Sequence, residues 1–342
     1  MRVRLHMNSR ITKVSKCLAP LAMKCWAFSG PAVFTLLLFY WVYGGILAFS
    51  LLCFAITGVL YHKQDSLLYH PDDSFQSRIF VPTPSIVGLP YENIYLKSED
   101  GTVIHVYFIK QEGNNFTNAL TIIYFHGNAG NIGHRLRNAS QLYHQLKCNL
   151  LMVEYRGYGL SQGSPSEEGL YMDARAATDY LFSRQDINHK KIVVFGRSLG
   201  GAVAVDLVAR PEYGSKIWCL LLENTFTSIP EMAYSLFRWH VLKSVPNMFY
   251  KNQYMSNWKV KSILVPTYFI SGLSDNLVPS AMMTELHSKC ASQHKQIIQI
   301  VGGTHNDTWT CPGYYGNIMK FLKSVEQYQP NPSITFSCIK DV

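Results

Sequence analysis

Six short apolar runs, separated by stretches long enough for a helix, lie between residues 121 and 301 of this chain. They are rich in Ile, Val and Leu and occupy residues 121–125, 150–155, 191–195, 218–223, 266–270 and 296–301. Strands of a parallel sheet that is covered on both faces need such runs. Before them, two alternating segments within residues 92–110 surround Asp100-Gly101, which predicts a hairpin. We therefore predict an α/β domain over residues 92–327, with a mostly parallel central sheet, an N-terminal antiparallel hairpin and helices on both faces.

A long uncharged stretch precedes this domain. Between Lys24 and Lys63 there is no Asp, Glu, Lys or Arg, and residues 31–60 contain 16 Leu, Ile, Val and Phe. A membrane-spanning helix needs about 20 such residues, and core helices of soluble proteins seldom run uncharged for so long. The apolar part of a cleaved signal peptide is shorter, at about 7–15 residues. Residues 31–60 are therefore predicted to be a transmembrane signal-anchor, followed by a membrane-proximal segment over residues 61–91.

The charges on the two sides of this stretch predict its orientation. Residues 1–24 contain six basic and no acidic residues, whereas the other side mixes Lys63 and Arg78 with acidic residues. The positive-inside bias then places a basic tail (1–30) in the cytoplasm and the domain in a lumen or outside the cell, a type II arrangement. A re-entrant hairpin that turns at Gly44-Gly45 would instead leave both ends cytoplasmic. The net charge of +9 is explained in part by this tail and its attraction to lipid headgroups, and no nucleic-acid-binding module is evident.

The pattern Gly-x-Ser-x-Gly, which can hold a nucleophilic serine, occurs at residues 159–163 and 196–200. The nucleophile must lie on a sharp turn from a strand into a helix, between small residues. Ser198 follows the predicted strand 191–195 and precedes Gly200-Gly201, so it meets this requirement. Ser161 does not, since Pro165 stands where the helix should run. We therefore predict that Ser198 is a nucleophile; the alternative is that the glycines around it serve helix packing only. Ser161 is predicted to lie in a turn.

A serine hydroxyl needs a histidine to accept its proton, and the histidine needs an acid to orient it. Asp275 follows the predicted strand 266–270, and His305 follows the predicted strand 296–301. Both therefore belong to loops at the carboxyl edge of the sheet. Glu223, which ends another predicted strand, is the competing acid.

Two backbone N–H groups are needed to bind the oxyanion that acyl transfer creates. Leu199, directly after the nucleophile, is predicted to supply one. The glycine-rich loop after strand 121–125 is predicted to supply the other, through Asn128 or, alternatively, Ala129. This loop could also be an ordinary glycine turn.

Five motifs in this order resemble a known family. They are Tyr124–Asn131, Tyr155–Gly159, Gly196–Gly201, Ser271–Asp275 and Gly303–Asp307. Over residues 40–325 the chain is similar to the alpha/beta hydrolase domain-containing proteins. This resemblance implies an alpha/beta-hydrolase fold and a single-pass type II membrane hydrolase with a triad at Ser198, Asp275 and His305. Residues 1–30 carry no motif of the family.

The predicted function is hydrolysis of a carboxylic ester or thioester through an acyl-enzyme, with a membrane lipid or a lipidated protein as substrate. The aromatic-rich connection between Glu223 and Thr267 is long enough to form a lid over an acyl chain, or two helices packed on the sheet. The alternatives are an inactive membrane adaptor of the same fold and a serine peptidase.

The eight cysteines lack the paired spacing of metal sites, so neither a metal nor another cofactor is predicted. Five of them lie beyond residue 91, which allows at most two disulfide bridges there.

Asn115, Asn138 and Asn306 are candidate N-glycosylation sites if the domain is lumenal. Because a glycan on Asn306 would crowd His305, we expect Asn306 to be unmodified. Residues 328–342 are predicted to form a C-terminal tail.

Overall fold

The computed structural model describes residues 30–71, 76–113 and 116–329 of the chain. Asn115 lies outside these ranges. So does nearly all of the predicted N-terminal tail (1–30) and of the predicted C-terminal tail (328–342). The chain divides into two compact units, one that ends at Lys63 and one that begins at Gln64.

Two apolar helices form the described part of the first unit. They are α1 (Gly30–Tyr43) and α2 (Gly45–Leu68), which continues into the second unit. Gly44 separates them at φ = +90°, a left-handed conformation that costs glycine little. Val33 and Leu37 of α1 line one cleft together with Ala48 and Leu52 of α2. The helix predicted over residues 31–60 is therefore broken into two, of which α2 alone is long and apolar enough to cross a membrane.

The second unit contains one eight-stranded sheet in the order β1-β2-β4-β3-β5-β6-β7-β8. The strands are β1 (Tyr91–Lys97), β2 (Val103–Ile109), β3 (Thr121–Phe125), β4 (Asn149–Val153), β5 (Ile192–Arg197), β6 (Cys219–Glu223), β7 (Thr267–Gly272) and β8 (Lys295–Ile300). The pairs β1–β2 and β2–β4 are antiparallel, and the other pairs are parallel. The predicted hairpin and the six predicted strands are confirmed.

Helices cover both faces of this sheet. They are α3 (Leu136–Leu146), α4 (Glu167–Ser183), α5 (Leu199–Ala209), α6 (Pro211–Gly214), α7 (Ile229–Phe237), α8 (Ser256–Lys259), α9 (Ser280–Lys289) and α10 (Tyr314–Gln327). Ile123 and Phe125 of β3 share a core with α4, α5 and α9, whereas Ile122 and Tyr124 share another with α3 and α10. Successive strand residues point to opposite faces, so the two cores lie on opposite sides of the sheet. This explains why β3 is apolar at every position after Thr121.

Capping explains where α4 begins. Ser166 precedes the helix in an extended conformation, and its side chain accepts a hydrogen bond from the N–H of Gly169. Glu167 and Glu168 occupy the first turn, where negative charge stabilises the helix dipole. These interactions stabilise the first turn of α4 and thereby define where the helix starts.

Part of the predicted membrane-proximal segment (61–91) packs on the domain. Tyr69 is buried, and its hydroxyl lies 2.8 Å from Asn252 Oδ1 and 2.8 Å from the hydroxyl of Tyr254. The N–H of His70 donates to the carbonyl oxygen of Asn128 at 2.9 Å. From Gln64 onward the segment therefore belongs to the same unit as the sheet.

The domain cysteines within the described part of the chain are Cys148, Cys219, Cys290 and Cys311, and all four are free. Burial raises the pKa of the Cys148 and Cys219 thiols above the ordinary value, which disfavours the reactive thiolate. These thiols serve as small apolar side chains in the core.

Candidate active site

Ser198 lies on a strained turn between β5 and α5. Its φ of 55° and ψ of −121° are uncommon for a residue with a side chain, and such strain costs of order 1–3 kcal/mol. The turn is tight because glycines let the backbone close up: a Cβ on Gly196 would come within 2.7 Å of the Cα of Gly201. The N–H of Ser198 donates to the carbonyl oxygen of Glu223 at 3.0 Å, which ties the turn to β6.

The three side chains predicted to act together form a continuous chain of contacts. Ser198 Oγ lies 3.0 Å from His305 Nε2, and His305 Nδ1 lies 2.7 Å from Asp275 Oδ2. The other oxygen of Asp275 accepts hydrogen bonds from the N–H groups of Leu277 and Val278, each at 2.8 Å. These bonds hold the carboxylate so that it faces the imidazole. In this order the three groups could move a proton away from the serine hydroxyl.

The competing acid, Glu223, points elsewhere. It is fully buried, and its carboxylate accepts a hydrogen bond from the hydroxyl of Tyr314. Burial raises the pKa of this carboxyl group above its ordinary value. Since His305 Nδ1 contacts Asp275, the geometry favours Asp275 over Glu223 as the orienting acid.

Asn224 is a positioning residue that the sequence did not reveal. Its side-chain N–H donates to the carbonyl oxygen of Thr304 at 3.1 Å and to Thr308 Oγ1 at 3.0 Å. Its side-chain oxygen accepts from the N–H of Gly272 at 2.8 Å. Asn224 therefore joins the end of β7 to the loop that carries His305.

The loop after β3 contacts the serine turn. A Cβ on Gly127 would lie 3.5 Å from Ser198 Cβ, so the loop backbone runs beside the nucleophile candidate. The carbonyl oxygen of Asn128 accepts from the hydroxyl of Tyr158 at 2.9 Å, and its side-chain amide donates to the carbonyl oxygen of Leu68 at 2.9 Å. These two contacts fix the position of Asn128. Its backbone N–H makes no hydrogen bond with any of the described residues.

A buried histidine and glutamate support this loop from behind. His126 Nδ1 lies 2.7 Å from the carbonyl oxygen of Gly127, and His126 Nε2 lies 3.1 Å from Glu154 Oε1. The other oxygen of Glu154 accepts from the N–H of Ile132 at 3.0 Å. Sequence reasoning missed Glu154, although the adjoining Tyr155–Gly159 motif could have drawn attention to it.

The second Gly-x-Ser-x-Gly serine has a different environment. Ser161 is buried, and its hydroxyl donates to the carbonyl oxygen of Glu154 at 2.9 Å. The oxygen of the Ser161 hydroxyl also accepts a hydrogen bond from the N–H of His105 at 2.8 Å. These bonds make Ser161 a structural residue of a turn.

The glycosylation candidates differ in accessibility. Asn138 is buried in α3, where its side chain accepts from the hydroxyl of Tyr124 and donates to that of Tyr315. A glycan on Asn138 would not fit this folded environment. Asn306 is exposed directly beside His305, and Asn115 lies outside the described residues.

Metal-binding clusters do not occur among the residues that the structure describes, where no three His, Cys, Asp or Glu side chains converge. The contacts of Ser198 with His305 and of His305 with Asp275 suit nucleophilic catalysis with a general base.

Comparisons with known proteins extend the sequence resemblance. A family model described as alpha/beta hydrolase fold matches residues 121–249. The chain is 39% identical over 304 residues to the alpha/beta hydrolase domain-containing protein WAV2 of Arabidopsis thaliana, a match that covers 85% of this chain and 94% of that protein. It is 33% identical over 285 residues to the uncharacterized membrane protein YNL320W of Saccharomyces cerevisiae, with 82% and 94% covered.

A solved structure shares the same architecture. The esterase Pf2001 of Pyrococcus furiosus matches with a TM-score of 0.59 and 18% identity, and the match covers 75% of this chain and 98% of that chain. At this level of identity the likeness concerns the fold.

Proposed function

This chain belongs to the alpha/beta hydrolase family that includes WAV2 and YNL320W, and from that premise we propose that it is a membrane-anchored serine hydrolase. It cleaves carboxylic esters or thioesters through an acyl-enzyme. The observation that carries this proposal is the chain of contacts from Ser198 through His305 to Asp275. Within the family we assign the chain to the group called alpha/beta hydrolase domain-containing protein 13, which its five motifs resemble.

The first half of the reaction acylates the serine. His305 Nε2 accepts the proton of Ser198 Oγ as the oxygen attacks the carbonyl carbon of the substrate. The tetrahedral intermediate then collapses, the bond from carbon to the leaving oxygen or sulfur breaks, and His305 donates its proton to the leaving group. Asp275 keeps the N–H of Nδ1 in place and stabilises the imidazolium.

Water completes the cycle. His305 accepts a proton from water, the hydroxide attacks the acyl carbon, and the proton returns to Ser198 Oγ as the carboxylic acid leaves. The backbone N–H groups of Leu199 and Asn128 hold the oxyanion in both halves, each lowering the barrier by about 3–4 kcal/mol. Leu199 suits this role because it is the first residue of α5, where backbone N–H groups lack helical partners. Ala129, next in the same loop, is the alternative to Asn128.

The substrate class follows from location and composition. The apolar helix α2 and the name of the yeast relative, which describes a membrane protein, support membrane anchoring. Esterase names among structural neighbours support an ester substrate. We therefore propose a lipid or a lipidated protein as the source of the acyl group.

Mutation of the orienting acid tests this function. In detergent, the full-length protein is expected to hydrolyse p-nitrophenyl esters or acyl thioesters, and Asp275→Asn to lower kcat by about 10⁴-fold, because an amide stabilises the wrong imidazole tautomer. Asp307→Asn is the control, since Asp307 is an exposed acid beside the same histidine. Equal rates for the wild type and Asp275→Asn would contradict the mechanism, and cleavage of peptide amides alone would indicate a peptidase. A folded wild type that turns over none of these substrates would favour the adaptor.

Two observations support different membrane topologies. The basic residues of the N-terminal tail support a type II signal-anchor with the domain in a lumen or outside the cell. The break at Gly44 supports the re-entrant hairpin. We propose the type II arrangement, with the hairpin as the second candidate.

Protease digestion of sealed microsomes separates these topologies. With a tag at each end of the chain, the type II arrangement predicts that the N-terminal tag is digested and the C-terminal tag is protected. Because the domain is lumenal in this arrangement, a glycan on Asn115 that endoglycosidase removes would agree with it. Digestion of both tags without detergent would overturn the type II arrangement and support the hairpin.

A further inference from the structure

The connection between β6 and β7 contains an exposed apolar surface. Phe226 and Tyr254, near its ends, are buried in the core, so this part packs on the domain. Between them, residues 236–251, here called the apolar segment, expose large side chains: Leu236, Phe237, Trp239, Val241, Met248 and Phe249. Met248 is 77% exposed and Trp239 is 63% exposed, which is unusual for such side chains clustered in one stretch.

The charged residues of the connection itself have one sign over most of its length. From Met232 to Ser274 the chain has no Asp or Glu and has five basic residues. Lys251 pairs with Asp65, and Lys259 pairs with Asp206. Arg238 and Lys243 remain exposed among the apolar side chains of the segment. Apolar and basic side chains in one surface stretch are typical of segments that lie in the interface of a membrane.

The apolar segment is also attached to the last turns of α2. Gln64 donates to the carbonyl oxygen of Phe249 at 2.7 Å and accepts from the N–H of Lys251 at 2.8 Å. Asp65 accepts from the side chain of Asn252 at 2.7 Å. Gln64 follows the apolar run that ends at Leu60 by four residues, a rise of about 6 Å along a helix. The segment is thus tied to the chain just where it would leave a bilayer.

We propose that the apolar segment docks on the surface of the lipid bilayer in which α2 is anchored. Trp239, Phe237 and Met248 enter the interface between headgroups and acyl chains, and Arg238 and Lys243 contact the phosphate groups of the lipid headgroups. The proposal rests on the anchoring of α2 but not on hydrolysis. Because the segment follows β6 at the carboxyl edge of the sheet, docking turns the edge that carries Ser198 toward the membrane.

Fluorescence quenching in vesicles tests the docking. A fluorescent amino acid replaces Met248 in the full-length Ser198→Ala protein, or Lys190 as the control, since Lys190 is exposed at the opposite edge of the sheet, before β5. The proteins are reconstituted in phosphatidylcholine vesicles with phosphatidylserine, and some of the acyl chains carry bromine. We expect quenching at position 248 and none at position 190. Replacing Arg238 and Lys243 by glutamine is expected to weaken docking by about fivefold per charge, whereas Lys190→Gln leaves it unchanged.

The outcomes are distinct. Protein that floats with the vesicles but shows no quenching at position 248 overturns the docking alone. Protein that does not float overturns the anchoring and the docking together. Crosslinking of position 248 to a second copy, without quenching, also overturns the docking and identifies the surface as a dimer contact. A fluorescence melting curve confirms that each variant is folded, and ester hydrolysis by the Ser198 form tests the enzymatic proposal separately.

Discussion

Replacing Ser198 by alanine is expected to lower kcat for a short-chain ester by about a million-fold, and His305→Ala to have a nearly equal effect. The two groups act as one, because the serine hydroxyl is a weak nucleophile until His305 Nε2, 3.0 Å away, accepts its proton. The double variant is therefore expected to be no slower than either single variant. Steady-state kinetics on the three variants measure this non-additivity.

Ser161→Ala is the matched control, since Ser161 lies in the other Gly-x-Ser-x-Gly stretch. Its hydroxyl bonds with the backbone of Glu154 and His105, so the substitution is expected to lower the free energy of unfolding by about 1 kcal/mol and to leave kcat near the wild-type value. A loss of activity with Ser161→Ala as large as that with Ser198→Ala would contradict the assignment. So would additive losses in the double variant.

Gly200→Ala is expected to destabilise the domain by about 3 kcal/mol or more and to abolish activity. A Cβ at this position would lie 2.5 Å from the carbonyl oxygen of His126 and closer still to that of Phe125. Both atoms belong to backbone, which cannot rotate away as a side chain can. The substitution must therefore push α5 away from β3 and displace the loop proposed to bind the oxyanion. Thermal unfolding in detergent and ester hydrolysis measure the two effects.

Gly316→Ala is the control for this substitution. Gly316 lies in α10, and a Cβ there would meet no heavy atom within 4 Å. Alanine in a helix is favoured over glycine, so this variant is expected to gain up to about 1 kcal/mol and to stay active. If Gly200→Ala unfolded at the same temperature as Gly316→Ala, the close packing of the serine turn would be refuted.

The sheet could be predicted from the sequence because its strands are buried on both faces. Residues 121–125 are all apolar except Thr121, and that composition follows from a strand with a core on each side. Strand ends were less certain: β5 continues to Arg197, directly before Ser198, whereas the predicted strand ended at residue 195.

The N-terminal region shows the limit of composition. A long uncharged stretch predicts an apolar, membrane-spanning helix, but its composition does not indicate where the helix breaks. The break at Gly44 depends on one backbone conformation, and the sequence offered it only as an alternative. Similarly, the contact of Tyr69 with Asn252 joins residues 183 positions apart, so the packing of the membrane-proximal segment left no local pattern.

Some residues of the candidate site could be predicted from the sequence, and others could not. Chain order and loop position were enough to select Ser198, Asp275 and His305, and the structure brings these side chains together. Asn224 was missed because its contact with Thr304 joins loops 80 positions apart. Glu154 was missed because its contact with His126 forms only when β4 pairs with β3 in the sheet. Residues that position others leave little trace in a single sequence.

Labelling with a fluorophosphonate probe tests the central proposal most directly, because the probe reacts with an activated serine and needs no knowledge of the substrate. We expect a covalent adduct on the full-length protein, located by mass spectrometry on Ser198. We also expect its loss in Ser198→Ala and strong slowing in His305→Ala. An adduct on Ser161, or folded wild-type protein without any adduct, would contradict the assignment of Ser198 as the nucleophile.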